Sequence, residues 1–492
     1  MNYIKINKID NVVVALTDLK KGEELDLDGK KIVLIDDIMK GHKIAIKDIK
    51  ENEEIIKYGL PIGHAICDIL EGSHVHVHNI KTNLSNEIQY SYNPKLSNLS
   101  KETAKYFNGY RRENGKVGIR NEIWIIPTVG CVNSIAKNIE SHFRDKKIDG
   151  IDGIYAFTHP YGCSQLGDDH ENTKKILASF VNHPNAAAVL VVGLGCENLT
   201  INQFKEAIGN YDENRVKFLI AQDVEDEFTD AIKIIDGLIT FAKKYKREKI
   251  SAEELIIGMK CGGSDGLSGI TANPLVGKFS DKLISIGATT ILTEVPEMFG
   301  AENLLFNRCV DKDVFDKSVK MINDFKNYFI SHNQVVYENP SPGNKLGGIS
   351  TLEDKSCGCV QKGGTANIVD CLSYGEQVKK KGLNLLSGPG NDLVSSTALA
   401  ASGAHIILFT TGRGTPFGSP VPTVKISSNT EIYNKKNNWI DFDAGKLLNG
   451  NSIDNLSDDL IEYVLNIANG NMTKQEKNQA REIAIFKDGV TL

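Results

Sequence analysis

Apolar and polar positions divide the chain into a β-rich beginning and a longer body in which strands alternate with helices. Near the N-terminus, short β-branched or alternating runs are separated by turns that contain Gly and Asp. They predict strands at Asn11–Leu16, Lys31–Leu34 and His42–Ile46. A polar stretch, Lys81–Thr103, has few side chains that could fill a core and predicts a linker. We therefore expect a small β domain over residues 1–90 and a linker over residues 91–104.

From Asn121 onward, apolar runs are followed by Gly-rich loops and then by amphipathic helical segments. The runs predict strands at Glu122–Pro127, Gly153–Phe157, Ala186–Val192, Val216–Ala221, Glu254–Met259, Thr289–Thr293, Gly382–Leu386 and Ala404–Phe409. Helices are predicted from Asn133, near Asn172–Val181, near Ile201–Ile208 and over Glu225–Lys244. Such alternation is typical of α/β domains with mainly parallel sheets covered on both faces. The charged segment Lys243–Glu254 suggests two α/β units, at residues 105–248 and 249–492.

The composition narrows the possible classes of function. Across 492 residues, 57 Lys and Arg stand against 63 Asp and Glu, a formal net charge of −6. This mild acidity argues against a protein that binds nucleic acid or a membrane surface. The longest apolar run, Ala186–Val192, is too short to span a bilayer. With no apolar signal segment and no disulfide-module spacing among nine cysteines, we expect a cytoplasmic protein with reduced thiols.

Four cysteines follow predicted strands directly: Cys131, Cys163, Cys196 and Cys261. Open α/β sheets bind ligands outside the carboxyl ends of their strands, so these loops are expected to converge on one site. Thiolates suit Fe²⁺ or an iron–sulfur cluster, whereas oxygen ligands suit Mn²⁺ or Mg²⁺. The alternative is that each cysteine serves as a small apolar side chain in a tight loop.

A histidine cluster, His74-Val-His-Val-His78, forms a second candidate metal site. In a strand the three imidazoles share one face, because side chains alternate. Adjacent members are about 7 Å apart at Cα, whereas His74 and His78 are about 13 Å apart. Two of the three can therefore bind one metal unless the strand bends. The alternative is a polar, solvated strand face.

Two loops carry groups that recognise oxygen. The first holds Arg111, Arg112, Arg120 and Asn121, and the second holds Ser264, Asp265, Ser268, Thr271 and Asn273. Arginine binds carboxylates with two parallel hydrogen bonds, and Ser, Thr and Asn bind hydroxyls, as a polyhydroxy acid would require. A nucleotide is disfavoured, because the loop that begins at Gly193 lacks the third glycine of a dinucleotide fingerprint.

Taken together, these segments resemble the altronate dehydratase family of sugar-acid dehydratases, which includes galactarate dehydratase. The resemblance covers most of residues 105–445 and rests on Gly109–Asn121, Thr128–Cys131, His159–Cys163, His183–Asn185, Gly193–Glu197, Cys261–Pro274, Thr293–Glu297, Asn339–Gly348 and Gly388–Asn391. The N-terminal stretch Gly59–Asn79 resembles the β-clip SAF domain at the front of these enzymes. The length is close to that of the altronate enzymes, and this favours altronate as the substrate.

The resemblance implies anti-elimination of water from a sugar acid, with D-altronate giving 2-dehydro-3-deoxy-D-gluconate in hexuronate catabolism. It also implies Fe²⁺, with Mn²⁺ as the alternative. The residues themselves leave open a further alternative, an iron–sulfur cluster on the four strand-end cysteines. We expect His74 and His76, or His76 and His78, to bind the metal, with the small domain folded over the strand-end loops. The candidates for general acid and base are His159, Lys260, Glu197 and His170.

Several alternatives stay open from the sequence. The substrate could be galactarate or another 2-hydroxy acid such as sulfolactate, and a non-catalytic sugar-acid sensor is a different class of function. Cys357 and Cys359 stand where we expect fewer cysteines in relatives, which indicates thiol or metal chemistry at that loop. The sequence is compatible with a homo-oligomer and does not set the oligomeric state.

Overall fold

A computed structural model describes residues 2–84, 90–337 and 339–492. Residues 85–89, which the sequence prediction places at the end of the N-terminal domain, lie outside the described residues. The N-terminal domain consists of short antiparallel strands: β1 Tyr3–Ile4, β2 Val12–Ala15, β3 Glu24–Leu27, β4 Lys30–Val33, β5 Lys43–Ala45, β6 Glu54–Lys57, β7 Leu60–Ala65, β8 His74–Val75 and β9 Ile80–Lys81. They form sheets in the orders β1-β2-β5-β8, β3-β4 and β6-β7-β9.

Two small apolar cores hold this domain together. Val13, Leu25 and Ile44 belong to one core, and Val12 and Ile62 belong to the other. Val12 and Val13 face different cores because successive side chains of a strand point to opposite sides. The β-rich N-terminal domain expected from the sequence is confirmed.

The middle region alternates strands and helices. Its elements are β10 Tyr106–Arg111, β11 Val117–Gly118, β12 Glu122–Pro127, α1 Asn133–Phe143, β13 Gly153–Ala156, α2 Gly167–Val181, β14 Ala186–Gly193, α3 Ile201–Ile208, β15 Val216–Ile220, α4 Glu227–Ala242 and β16 Glu248–Ser251. A parallel sheet has the order β13-β12-β14-β15. All eight residues of β14 are buried, as expected for a strand covered on both faces. The sequence prediction missed the antiparallel sheet β11-β10-β16.

The C-terminal region contains the largest sheet. Its elements are β17 Ile256–Cys261, α5 Ala272–Ile286, β18 Thr289–Leu292, α6 Glu302–Phe306, α7 Lys312–Ser331, α8 Pro342–Leu346, α9 Leu352–Cys359, β19 Ile368–Leu372, β20 Gly382–Leu386, α10 Asp392–Ala401, β21 Ile406–Thr411, β22 Thr423–Ser427, α11 Thr430–Lys435, β23 Phe442–Asp443, α12 Ile453–Ala468 and α13 Lys474–Lys477. The parallel sheet has the order β19-β20-β18-β17-β21-β22-β23. The expected α/β class with mainly parallel sheets is therefore confirmed.

The polar stretch after the N-terminal domain lies along the C-terminal region. Its described part, residues 82–84 and 90–105, contains neither helix nor strand. The Tyr90 hydroxyl donates to Glu302 Oε1 at 2.9 Å, and the Tyr92 hydroxyl donates to the Cys309 carbonyl at 3.1 Å. The two tyrosines fix this connection to the larger sheet's helical layer.

Within the described ranges, no helix combines the length and the apolar character that a membrane crossing requires.

Candidate active site

The carboxyl edge of the large sheet has a topological switch point at β17. The sheet extends from β17 through β18 on one side and through β21 on the other. Ligands of open α/β sheets bind in the crevice at such a point, outside the strand ends. The loop after β17, residues 262–271, is therefore the expected wall of a binding site.

The N-terminal domain covers this edge through close backbone contact. A Cβ atom at Gly266 would lie 2.1 Å from the carbonyl oxygen of Gly41, and one at Gly348 would lie 2.2 Å from the same oxygen. Only residues without a side chain permit this approach. Gly266 lies in the loop after β17 and Gly348 in the segment after α8, so one N-terminal turn contacts both.

Three imidazoles meet beside this contact. One ring nitrogen from each of His42, His74 and His76 lies within 4.8 Å of the others. Nδ1 of His42 is 2.9 Å from Nε2 of His74, while Nε2 of His42 is 3.2 Å from the Leu346 carbonyl oxygen. Nδ1 of His76 is buried and has no hydrogen-bond partner among the described residues. An orphaned buried imidazole nitrogen beside two others fits a metal ligand.

Local turns explain why His42 joins this group. The pairing of β5 with β8 sets Ile44 opposite His74, so His42 comes close to the His74–Asn79 segment. After Val75 the chain bends, because Asn79 accepts from the His76 amide at 2.9 Å and donates to the His74 carbonyl at 2.9 Å. His78 is exposed, with its ring centroid 5.3 Å from that of His74.

The imidazoles are held neutral. Burial lowers the pKa of His42, and burial together with the neighbouring His42 lowers the pKa of His74 to about 4. Burial and the nearby Lys43 ammonium lower the pKa of His76 to about 3. Neutral imidazole is the form that binds a metal, so the three side chains need lose no proton to do so at neutral pH.

A cavity of about 400 Å³ adjoins this cluster. Gly41 and Leu346 line it, and these residues flank or contact His42. Four cations also face it: Lys40, Arg413, Lys435 and Lys436. Two groups that recognise hydroxyls, Asp265 and Asn429, face it as well. A second cavity of about 480 Å³ is lined largely by Phe, Tyr and Val side chains and is less suited to a polyhydroxy acid.

Of the predicted oxygen-binding residues in the second loop, Asp265 lines the cavity. Its carboxylate accepts from Ser268 Oγ at 2.8 Å and from Ser428 Oγ at 2.9 Å. Ser264 is buried, and its carbonyl accepts from the Asn344 amide at 2.8 Å. Thr271 and Asn273 are also buried, and their side chains bond to the protein itself. The last three residues fix the loop instead of lining the cavity.

The predicted residues of the first loop lie away from the cavity. Arg120 is buried and forms an ion pair with Glu476 at 2.9 Å, while its remaining nitrogens donate to backbone carbonyls. The Asn121 amide donates to the carbonyls of Gly150 and Ala242. Arg111 is exposed and pairs with Glu248 at 3.0 Å. The Arg120 contacts join the middle region to the C-terminal region. The Asn121 and Arg111 contacts lie within the middle region.

The predicted acid–base residues of the middle region are bound to its loops. His159 is buried: Nε2 is 2.8 Å from the Pro127 carbonyl, and Nδ1 accepts from the Tyr161 amide at 3.2 Å. Glu197 accepts from Thr128 Oγ1 at 2.7 Å and from the Gly195 amide at 2.6 Å. His170 lies half-buried in α2, with no contact to the cavity between the domains.

Lys260 belongs to a buried network at the ends of β17 and β18. Its ammonium is 2.7 Å from Asp392 Oδ1 and 3.1 Å from Glu294 Oε1. Burial alone lowers the pKa of Lys260, but these two carboxylates outweigh it and the net shift is upward. Lys260 is thus a cation at neutral pH, which suits a proton donor or a charge-stabilising group and not a base.

The structure places the four strand-end cysteines at two different sheets. Cys131, Cys163 and Cys196 are exposed at the carboxyl edge of the middle sheet, where the Gly130 amide donates to the Tyr161 carbonyl. Cys261 ends β17 in the other large sheet and is buried. Its Sγ lies 3.5 Å from Sγ of Cys359 and donates to Glu297 Oε2 at 2.9 Å.

Two contributors were missed by sequence reasoning. His42 stands 32 positions before His74 and is brought near by strand pairing. Arg413 follows β21 in Gly412-Arg-Gly414, the same strand-end position that drew attention to the cysteines. That shared position was the available signal for Arg413, whereas no local pattern marks His42.

Comparison with known proteins agrees with this architecture. Family models match at residues 1–83 (altronate/galactarate dehydratase SAF domain), 109–243 (D-galactarate dehydratase/altronate hydrolase, second domain) and 252–491 (D-galactarate/altronate dehydratase, C-terminal). The chain is 54% identical to altronate dehydratase of Escherichia coli and 56% identical to that of Bacillus subtilis, covering 100% of each chain. It is 33% identical to galactarate dehydratase (L-threo-forming) of Escherichia coli, over 95% of this chain and 93% of the relative. The chain therefore belongs to the D-galactarate/altronate dehydratase family.

Proposed function

We propose that this protein is a hydro-lyase that converts D-altronate to 2-dehydro-3-deoxy-D-gluconate and water. The observation that carries the proposal is the level of identity: 54% and 56% to two altronate dehydratases along the whole chain, against 33% to galactarate dehydratase. The cavity between the N-terminal domain and the β17 edge is the proposed substrate site.

The chemistry of this elimination explains the cations at the cavity. Removing the C2 proton next to a carboxylate builds negative charge on that carboxylate. Positive groups held in place at the wall stabilise this charge as it develops. Arg413 has the planar donors that match a carboxylate. Lys40 also faces the cavity, where it pairs with Glu431 at 3.3 Å. Arg413 is itself oriented by a 2.7 Å hydrogen bond from Nη1 to the Gly343 carbonyl.

Three residues would hold the metal: His42, His74 and His76. The fit rests on Nδ1 of His76, which has no hydrogen-bond partner in the part of the chain that the structure describes, and on the three ring nitrogens within 4.8 Å of one another. We propose Fe²⁺ in preference to Mn²⁺, because imidazole suits iron whereas manganese favours oxygen ligands. When bound, the ion supplies Lewis-acid stabilisation for negative charge on the substrate's oxygens.

Asp265 is the candidate for positioning substrate hydroxyls and accepting the C2 proton. Hydrogen bonds from Ser268 and Ser428 fix the carboxylate at the cavity wall. Neither His159 nor Glu197 lines this cavity, so the proton steps are assigned to groups that do. Neighbouring Asn429 donates to Asp265 Oδ2 at 3.2 Å and can bind a second hydroxyl.

An anaerobic assay of the purified protein tests this function. Keto-acid formation from D-altronate and from galactarate is followed with added Fe²⁺, Mn²⁺ or chelator. We expect turnover of altronate that chelator abolishes and Fe²⁺ restores. Turnover of galactarate alone would change the substrate and keep the reaction type. Tight binding of both acids without formation of any keto acid would show that the protein is a non-catalytic sensor and not an enzyme.

We place this activity in the cytoplasm. All nine cysteines are free thiols, including the close pair Cys261 and Cys359. Reduced thiols are the rule in that compartment.

A further inference from the structure

We propose that Cys261, Cys359 and Glu297 form a second metal site, for a divalent cation that accepts thiolate ligands, such as Zn²⁺. Sγ of Cys261 is 2.9 Å from Glu297 Oε2, Sγ of Cys359 is 3.2 Å from the same oxygen, and the two sulfurs are 3.5 Å apart. Each separation is less than twice a Zn–S bond of about 2.3 Å, so one ion can contact all three atoms.

The three ligands come from separate, ordered parts of the fold. Cys261 is the last residue of β17, Glu297 follows β18, and Cys359 is the last residue of α9. Their exposed fractions are 1%, 4% and 3%. Cys359 lies 98 positions from Cys261 in sequence, so tertiary packing alone brings the thiols together. Three protein ligands leave one position of a tetrahedral ion for a further donor.

Glu297 divides its two oxygens between different partners. Oε1 pairs with the Lys355 ammonium at 2.7 Å, while Oε2 faces the two thiols. Lys355 is held in turn by Asn339 Oδ1 at 3.0 Å. Lys355 therefore orients the carboxylate from outside and leaves one oxygen for the ion, as supporting residues around metal sites do.

The surrounding charges accommodate a divalent cation without a net change. Three cations and three carboxylates surround the thiols: Lys260, Lys355, Lys362, Glu294, Glu297 and Asp392. These six charges sum to zero. Binding a divalent ion replaces the two thiol protons, which leave to solvent, so the total charge of the buried cluster stays the same. A buried cluster with balanced charge avoids the cost of an uncompensated ion.

The donor chemistry distinguishes this site from the histidine cluster. Two sulfurs favour Zn²⁺ or Fe²⁺ over Mn²⁺ or Mg²⁺. The histidine cluster offers nitrogen donors alone. An ion at the thiol site would join β17, β18 and α9, and it would thereby fix the origin of the loop 262–271 that lines the substrate cavity.

Cobalt substitution of the full-length protein tests the proposal. Metal-free reduced protein is titrated with Co²⁺ under anaerobic conditions, and both bound cobalt and the thiolate-to-cobalt charge-transfer absorption are measured. We expect two cobalt ions per chain together with the charge-transfer band. Cys359→Ser should lose one ion and the band. His76→Ala should lose the other ion and keep the band.

Cys309→Ser is the matched control, because Cys309 is buried near Ser318 Oγ and lies outside the cluster. It should keep both ions and the band. A wild-type protein with no thiolate band would overturn the proposal, and so would a band that survives in both Cys261→Ser and Cys359→Ser. A Cys261–Cys359 disulfide in freshly purified protein would contradict the metal site and indicate a redox-active cysteine pair.

X-ray absorption on zinc-loaded wild-type protein avoids any dependence on variant folding. Sulfur scatterers at about 2.3 Å support the site. A shell of nitrogen and oxygen alone contradicts it. None of these readouts uses turnover, so failure of the altronate assay and failure of the thiol site are separate results.

Discussion

The Lys43 ammonium of the N-terminal domain lies 2.8 Å from Asp354 Oδ2 in α9 of the C-terminal region. Lys57 approaches the other carboxylate oxygen of Asp354 at 2.9 Å. All three side chains are at most 1% exposed. Asp354 thus joins two lysines of the N-terminal domain to the large sheet, and this pairing holds the histidine cluster over the strand ends.

Removing the shared carboxylate should separate the domains. Asp354→Asn leaves two buried ammonium groups without a counter-ion, and breaking a buried pair in this way costs about 3–5 kcal/mol. Urea unfolding should show a corresponding loss in the free energy of unfolding. Asp37→Asn is the control, because Asp37 pairs with Lys20 at the surface and its loss should leave stability unchanged. Equal stability of the Asp354 variant and wild type would contradict this role.

A single methyl group should disturb the docking of the N-terminal domain. Gly266→Ala places a Cβ atom 2.1 Å from the Gly41 carbonyl oxygen, so the backbone must shift. We expect kcat/KM for altronate to fall at least about tenfold, equivalent to about 1.4 kcal/mol of transition-state stabilisation. Gly237→Ala is the matched control, since a Cβ atom at Gly237 in α4 has no neighbour within 4 Å among the described residues. Comparable kinetics for the two variants would exclude a close contact at Gly266.

Metal binding should depend on His42 and not on His78. His42→Ala and His76→Ala each remove a converging ring nitrogen, so bound iron and turnover should both fall, with turnover reduced at least about tenfold. His78→Ala should retain both, because His78 is exposed outside the cluster. Iron content by elemental analysis and kcat at saturating Fe²⁺ provide the measurements. Retention of iron in His42→Ala together with its loss in His78→Ala would restore the pairing of His76 with His78 that the sequence offered.

Arg413 should act on substrate binding. A charge-assisted hydrogen bond is worth about 1.5–3 kcal/mol, so Arg413→Ala should reduce kcat/KM by about 10- to 150-fold. Arg413→Lys should recover part of this loss, because it keeps the charge and loses the paired donors. Arg111→Ala, which removes an exposed arginine paired with Glu248, should leave kcat/KM unchanged. If Arg413→Ala left kcat/KM unchanged, the substrate carboxylate would have to bind at another place.

The Arg120–Glu476 pair should make stability depend on pH in the acid range. Burial raises the pKa of Glu476, but Arg120 and Arg481 outweigh it and the net shift is downward. The unfolded chain therefore binds a proton at higher pH than the folded protein does. The stabilisation is complete above the unfolded value of about 4.3 and is lost as pH falls below it toward the lower folded value.

The free energy of unfolding, measured against pH by urea titration, should show this loss in wild type. Glu476→Gln should have lower stability at neutral pH and a flatter acid dependence, because the titrating group is gone. Parallel acid slopes in the two proteins would show that other carboxylates dominate.

The sequence alone predicted bounds close to the observed ones for most strands of the parallel sheets. Glu122–Pro127 and Gly382–Leu386 coincide with the predicted bounds, because continuous apolar runs between Gly-rich loops leave little freedom. Which strands pair with one another could not be predicted from the sequence. Cys261 and Cys131 follow similar strands, yet they lie at the edges of different sheets.

The candidate site needed contacts that no local pattern encodes. Arg120 and Asn121 have the chemistry of a carboxylate site, but burial and a partner 356 positions away determine that Arg120 binds Glu476. Strand pairing likewise added His42 to the histidine cluster, and close packing of glycines brought the N-terminal domain onto the loop after β17. The residue types predicted the kinds of group that bind carboxylate and metal. Contacts in the folded protein determine which residues of each type are available for binding.

The tyrosines that fix the connecting segment to the C-terminal region have a kinetic consequence. Because one chain carries both the N-terminal domain and the sheet that it covers, their docking is an intramolecular equilibrium with an effective concentration in the millimolar range for a short tether. Tyr90 and Tyr92 fix the C-terminal end of that tether by binding Glu302 and the Cys309 carbonyl. If the N-terminal domain separates transiently from the sheet, the histidine cluster therefore rebinds at the cavity of the same molecule and does not diffuse away through the solution.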